Sequence, residues 1–264
     1  MSTLVTFHAH PDDEAIATAG VMAKAAADGH RVVLVTATRG EHGEVVPGVL
    51  GEGEPLAERR AVELEEAAAV LGVGRCEVLG YVDSGMMGTP ENDHPGSFWR
   101  ADLDEAAGRL AAILAEERAE VLTVYDDHGT YGHPDHIQVH RVGLRAGEMA
   151  GVAKVYEATI SRDHVRRLRD LRPPDVAEED MPDPDALDLG VSEDQITTVV
   201  DVTAYLDKKR QAMTVHASQI PESSFFLALP AEAFAAAFGQ EWFILRGRTP
   251  DGVVERDLFD GLPG

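Results

Sequence analysis

The 264 residues are 44% apolar and 27% charged, which suits one large domain or two small ones with a substantial core. With 47 Asp and Glu against 23 Lys and Arg, the net charge of −24 argues against nucleic acid and against an anionic membrane surface as partners. A single cysteine, Cys76, excludes an internal disulfide framework and a Cys-rich zinc finger, and with neither an apolar run near about 18 residues nor a basic and apolar leader, a soluble, cytoplasmic protein is expected.

Along the chain, Thr3 to Phe7 is a short β-branched and apolar run that stops at a polar cluster, as a buried strand does. An Ala-rich helix is expected over Ala15 to Ala27, a strand over Val32 to Ala37, and an amphipathic helix over Leu56 to Leu71 closed by Gly72. The alternation continues with a strand at Cys76 to Leu79, a helix over Leu103 to Glu117, a strand at Val121 to Tyr125 and a helix from about Ile137. Such a pattern predicts a parallel sheet with helices on both faces, whose polar loops past the strand carboxyl ends line one crevice. After residue 160 the pattern loosens. A basic helix over Arg162 to Arg172 precedes a Pro/Asp/Glu loop from Pro173 to Asp188. A strand (Gln195 to Val202), helices near Ala204 to Val215 and Ala231 to Phe238, and a last strand (Glu241 to Arg246) follow.

Chemistry concentrates in two loops. His8-Ala9-His10-Pro11-Asp12-Asp13-Glu14 follows the first strand and packs imidazoles and carboxylates suited to Zn²⁺, Fe²⁺ or Mn²⁺. Its bland competitor is an acidic helix cap with incidental histidines. Tyr131-Gly132-His133-Pro134-Asp135-His136 follows the fourth strand and repeats the His-Pro-Asp order, and a parallel sheet can bring the two loops together. A catalytic zinc takes three protein ligands and leaves a position for water, which His10, one of Asp12 and Asp13, and His136 can satisfy; spacing alone does not choose between the two carboxylates. The other carboxylate is then free to accept a proton from metal-activated water. His133 is left to stabilise an oxyanion or protonate a leaving amine, with Asp135 orienting its imidazole and raising its pKa.

These motifs, Ala9 to Glu14 and His133 to His136, resemble the AHPDDE and HPDH signatures of the LmbE-like/PIG-L family of zinc-dependent N-deacetylases. The resemblance implies a Rossmann-like fold over roughly residues 1–160, metal ligands His10, Asp13 and His136, Asp12 as general base and His133 as the charged partner of the tetrahedral intermediate. It extends to the branch that deacetylates N-acetylglucosaminyl-inositol or cleaves mycothiol S-conjugates, through Arg39 to Val45, Asp83 to Met86, Tyr131-Gly132 and His216 to Gln219. Met87 to Trp99 and the acidic loop from Pro173 depart from that branch. By the same resemblance Arg60 contacts a sugar or inositol, with a surface ion pair to Glu63 as the competing role. Asp83 accepts from a substrate hydroxyl, with loop capping as the alternative. Tyr131 is expected to donate its hydroxyl to the oxyanion rather than simply pack, and Glu14 to orient a ligand. His42, His94, His128 and His164 are read as surface residues, His140 as packing, Phe225-Phe226 and Trp242-Phe243 as core, and Cys76 as a small apolar residue of a buried strand.

Together these features predict an α/β, Rossmann-like protein with a mostly parallel sheet. Residues 1–160 form the catalytic core, and 161–264 an α/β extension that completes the substrate site within the same domain. The expected reaction is removal of an N-acetyl group from a GlcNAc-type sugar or conjugate, with Zn²⁺ bound and Fe²⁺ fitting nearly as well. A small-molecule amino sugar is the expected partner, and a homo-oligomer is left open. A mycothiol S-conjugate amidase and a tailoring deacetylase of a glycosylated natural product share the same reaction centre. A phosphoesterase would need a second metal about 4 Å away, for which too few ligands remain. A metal-dependent sugar-binding module would need neither Asp12 nor His133.

Overall fold

The computed structural model describes residues 1–170, 183–186, 188–250 and 254–262. In chain order the elements are β1 (Thr3–His8), α1 (Asp13–Ala17), α2 (Ala19–Ala27), β2 (Arg31–Thr36), α3 (Leu56–Leu71), β3 (Arg75–Val78), α4 (Leu103–Glu116) and β4 (Val121–Tyr125). A kinked turn, α5 (Gly129–Gly132), leads into α6 (Pro134–Ala150), followed by β5 (Lys154–Thr159), α7 (Arg162–Asp170), β6 (Thr198–Asp201), α8 (Leu206–Val215), α9 (Phe225–Ala228), α10 (Ala231–Phe238) and β7 (Gln240–Leu245).

The strands form one sheet in the order β3-β2-β1-β4-β5-β7-β6, with β1 to β5 parallel and β7 antiparallel to both neighbours. Every residue of β1 is buried, which explains a run without polar alternation: the central strand is covered on both faces. One face packs Leu4, Met22, Leu34, Leu64 and Phe243, and the other packs Phe7, Val33, Leu110, Leu114 and Val142. Strand order reverses between β1 and β4, so their following loops part and leave a crevice at the carboxyl ends. That is where both His-Pro-Asp loops lie.

The helix expected over Ala15 to Ala27 is broken at Thr18 into α1 and α2. The Thr18 hydroxyl lies 2.8 Å from His8 Nε2, and the Glu241 carboxylate accepts from the Gly20 and Val21 N–H groups at 2.8 and 2.9 Å. Glu241 thus serves the amino end of α2, with Lys209 Nζ at 2.6 Å balancing its charge in the core. The expected helix from Ile137 starts earlier, at Pro134, because His133 caps it. The strand expected over Gln195 to Val202 narrows to β6 after a 3₁₀ turn at Glu193–Gln195. Phe225 is exposed rather than core, whereas His164 is no free surface residue: its ring lies 4.8 Å from that of Trp242, and its Nε2 is 2.9 Å from the Ala236 carbonyl. Phe243 is fully buried. Most of the acidic loop expected at Pro173 to Asp188 lies outside the described residues. Among the described residues no helix is long and apolar enough to cross a membrane.

Candidate active site

The end of β1 and the loop after it carry two histidines with different tasks. His8 is a core residue, hydrogen-bonded to Thr18 and to the Tyr125 hydroxyl (2.9 Å), and burial pulls its pKa down to about 4. His10 points into the crevice between two sets of acids. Its Nδ1 is 3.3 Å from Asp13 Oδ2, while its Nε2 is 3.2 Å from Asp135 and 3.5 Å from Asp83. Burial lowers its pKa, but these three carboxylates outweigh burial and carry it well above the ordinary value.

Asp13 also reaches the second loop, with Oδ1 3.3 Å from His136 Nε2. His136 is 3% exposed, lies flat against Tyr125 at a ring distance of 4.3 Å, and has no hydrogen bond at either ring nitrogen. Buried ring nitrogens without hydrogen bonds are costly in a finished core, and a metal between His136 and Asp13 would satisfy one of them. The donor set fits Zn²⁺ or Fe²⁺: two imidazoles and a carboxylate, with a carboxylate on the far nitrogen of His10 fixing its tautomer. Ligand atoms of His10, His133 and His136, and separately of His10, Asp83 and Asp135, also come within 4.8 Å of one another. Both groups share His10 as pivot.

Asp12 sits beside this cluster in an unusual conformation, φ 106° and ψ −31°. A non-glycine residue held there indicates local strain stored at a functional position. Burial raises its pKa, Arg60 opposes and Asp13 adds to the rise, leaving it at about 6. Its partner Arg60 is 3% exposed, with one terminal nitrogen 3.1 Å from Asp12 Oδ1. That nitrogen also donates to the Pro11 carbonyl, and the other donates to the Gly40 carbonyl (2.8 Å) and to Gln219 (3.1 Å). The expected surface pair with Glu63 does not form, because Glu63 accepts from the Ser218 N–H and hydroxyl. Arg60 is a buried brace, with little surface left for a sugar.

The second loop corrects one expectation directly. The Asp135 carboxylate does not face His133. It accepts from the Ser84 N–H (2.9 Å) and hydroxyl and approaches His10, whereas its backbone N–H donates to His133 Nδ1 (3.1 Å). His133 therefore caps α6 with Nδ1, which places the proton of its neutral form on Nε2. Burial, His10 and His136 pull its pKa down to about 4, and the opposing pull of Asp135 does not prevent this. Tyr131 is half-exposed, with its ring 6.3 Å from His133 and 5.0 Å from His136. The turn that presents it bends at Thr130 (φ 67°), whose N–H donates to Asp126 (2.6 Å). Gly129 is required there, since a Cβ would meet His136 Cβ and Ile137 N at 2.8 Å.

Asp83 is 4% exposed and accepts from the Gly85 N–H at 2.8 Å and the His42 N–H at 3.1 Å. Loop capping is what the contacts show. Burial raises its carboxyl, yet His10 and these N–H groups prevail and hold it below the usual range. Glu14 accepts from the Asp12 N–H (3.0 Å) and from His216 (2.6 Å). His140 bonds the Tyr125 carbonyl (3.0 Å), the packing role expected of it. Sequence reasoning missed Ser84 and the two directions of Asp135; a serine inside a loop motif gives no signal of the carboxylate it will meet.

Fold and site together define an α/β protein with a buried His/Asp cluster, suited to a metal ion, at the sheet's switch point. Residues 5–147 match the PIG-L family, described as GlcNAc-PI de-N-acetylase. The chain is 45% identical to the 1D-myo-inositol 2-acetamido-2-deoxy-alpha-D-glucopyranoside deacetylase of Thermomonospora curvata, covering 97% of this chain and 96% of that one. Among solved structures it is similar to the N,N'-diacetylchitobiose deacetylase from Pyrococcus horikoshii, with a TM-score of 0.61 at 19% identity over 92% of this chain and 83% of that one. GalB, the 4-carboxy-2-hydroxymuconate hydratase from Pseudomonas putida KT2440, has the same TM-score and identity over 94% and 97%. The chain belongs to the PIG-L family. It is a hydrolase of the deacetylase class, and the hydratase shows why the fold alone would not have said so.

Proposed function

We propose that the protein removes the N-acetyl group from N-acetylglucosaminyl-inositol in the cytoplasm, with residues 1–160 carrying the reaction centre and 161–264 bracing it. The observation that carries this reading is Asp13 lying 3.3 Å from both His10 and His136, with Asp12, paired to Arg60, next to it in the chain. The 45% identity to an enzyme named for that inositol glycoside supports the substrate.

His10, Asp13 and His136 would hold Zn²⁺, or Fe²⁺ in its place. When bound, such an ion polarises the acetyl carbonyl and makes a water molecule acidic at neutral pH. Asp12 accepts the proton of the attacking water; its raised pKa makes the carboxylate a stronger base than a solvated aspartate while leaving it ionised at pH 7. Tyr131 and the Nε2–H of His133 face the developing oxyanion. The departing amine takes its proton from Asp12, which has just received one from the water, while neutral His133 contributes its Nε2–H only as a hydrogen-bond donor. Arg60 and Asp83 act by fixing the loops of Asp12 and His10, which leaves recognition of the distal sugar to more exposed parts of the crevice rim.

The test is release of free amine from four substrates: N-acetylglucosamine, N-acetylglucosaminyl-inositol, a mycothiol S-conjugate and an N-acetylated glycoside antibiotic. Preferred release from the second supports the proposal. Preference for the third would identify an amidase and for the fourth a tailoring deacetylase, and either would overturn N-acetylglucosaminyl-inositol as the substrate. No release from any, with metal bound, would favour a binding module.

A further inference from the structure

The peptide unit joining Pro11 to Asp12 is gripped at both of its polar atoms. Its carbonyl accepts from Arg60, and its N–H donates to Glu14 Oε2 at 3.0 Å. Neither grip stands alone. Glu14 Oε1 is bound by His216 Nε2 at 2.6 Å, with both side chains wholly buried, and Arg60 donates to Gln219 Oε1 at 3.1 Å. His216 and Gln219 belong to one short segment after α8, some 200 residues from the loop they reach. That segment is itself fastened: the Ser218 N–H and hydroxyl donate to Glu63, one helical turn beyond Arg60 on α3. The Ser218 carbonyl accepts from the Val46 N–H at 2.9 Å.

We propose that His216 and Gln219 are positioning residues that hold Asp12 in its strained conformation through Glu14 and Arg60. A carbonyl and an N–H of one peptide fixed in opposite directions determine the rotation of that peptide plane, and with it the φ of Asp12. Strain of this kind persists only where surroundings over-determine it. The glycine loop between β2 and α3 closes over the same clamp. A Cβ at Gly43 would meet Gln219 Oε1 at 2.2 Å and Arg60 at 2.6 Å, and one at Gly40 would meet Arg60 at 2.3 Å, so both positions require glycine for the clamp to close. Among the described residues no hydrogen bond or ion pair joins the segment to the candidate metal ligands or the oxyanion donors; its effect reaches the reaction through Asp12.

The inference rests on the reading of Asp12 as general base, and its test separates the two. Crystal structures of His216→Leu and Gln219→Met are expected to show Asp12 relaxed to negative φ with its carboxylate displaced. In amine-release assays His216→Leu is expected to lower kcat about 10- to 100-fold, the scale of a misplaced catalytic group, with KM and bound metal little changed. His216→Gln, which restores a donor to Glu14, should recover most of the rate. In an Asp12→Asn background, His216→Leu should cost nothing further. Equal losses in both backgrounds, or an unmoved Asp12 in both crystal structures, would overturn the clamp. Should burial of an unpaired Glu14 keep His216→Leu from folding, Gln219→Met carries the same comparison. If the wild-type chain releases no amine from any sugar, the function proposed above fails, and the position of Asp12 in the variants still decides the clamp.

Discussion

In the loop after β1, the peptide before Asp12 is turned so that this residue adopts φ 106° and leaves its carboxylate beside the metal-type cluster; in the loop after β4, Pro134 opens a helix and Asp135 is buried in its first turn. The two loops spell the same His-Pro-Asp triplet. In the first, distant residues impose the conformation through Arg60 and Glu14. In the second, the conformation is local: His133 caps its own helix and Asp126 holds Thr130. The first Asp is therefore available to take a proton, and the second is committed to Ser84 and His10. Identical motifs produce different chemistry because different partners, distant in the first loop and local in the second, set the peptide planes.

The contrast between the two aspartates breaks most visibly when each is neutralised in turn. Asp12→Asn is expected to lower kcat by about 10²- to 10⁴-fold with metal content unchanged, as for loss of a general base; near-wild-type turnover, measured beside metal analysis, would remove Asp12 from the mechanism. Asp135→Asn should act differently, weakening metal affinity or activity by about 10- to 100-fold through the orientation of His10. Competition with a chromophoric chelator checks this, and an unchanged metal affinity together with unchanged activity would show that the Asp135–His10 contact is idle.

A smaller effect tests the electrostatics around the second loop. Burial raises the Glu157 carboxyl, Arg246 opposes, and Asp127 and Asp126 add to the rise, leaving it at about 7 against an ordinary 4.5. Between those values the folded protein holds a proton that the unfolded chain has lost, so this group's contribution to stability falls as pH rises from about 4.5 to about 7 and stays lower above. Glu157→Gln should therefore match the wild type near pH 4.5 and exceed it at pH 8 by about 1–2 kcal/mol, allowing for Arg246 and partial solvation. Denaturant melts at the two pH values check the sign; a variant less stable at pH 8 would contradict it.

Much of this architecture was legible. The alternation of apolar strand runs with amphipathic helices such as Leu56 to Leu71 follows from periodicity, and the placement of both His-Pro-Asp loops in one crevice follows from parallel topology. What sequence did not reveal depends on partners far along the chain. The break at Thr18 requires the Glu241 carboxylate, 221 residues from Gly20, and no local propensity announces it. The direction of Asp135 depends on Ser84, which sits 51 residues away. Arg60 reads as an exposed helical residue beside Glu63 until Ser218 takes Glu63 from it. The antiparallel β7 was likewise hidden, since a strand's direction in the sheet is set by connections rather than by its own residues.

If the two loops build one metal-dependent deacetylation site, turnover must follow the metal bound there. The most direct measurement is amine release from N-acetylglucosaminyl-inositol by chelator-stripped protein during titration with Zn²⁺. The expected result is no turnover at the start and a linear rise that ends near one ion per chain. Full turnover by the stripped protein, or none at any metal loading, would contradict it.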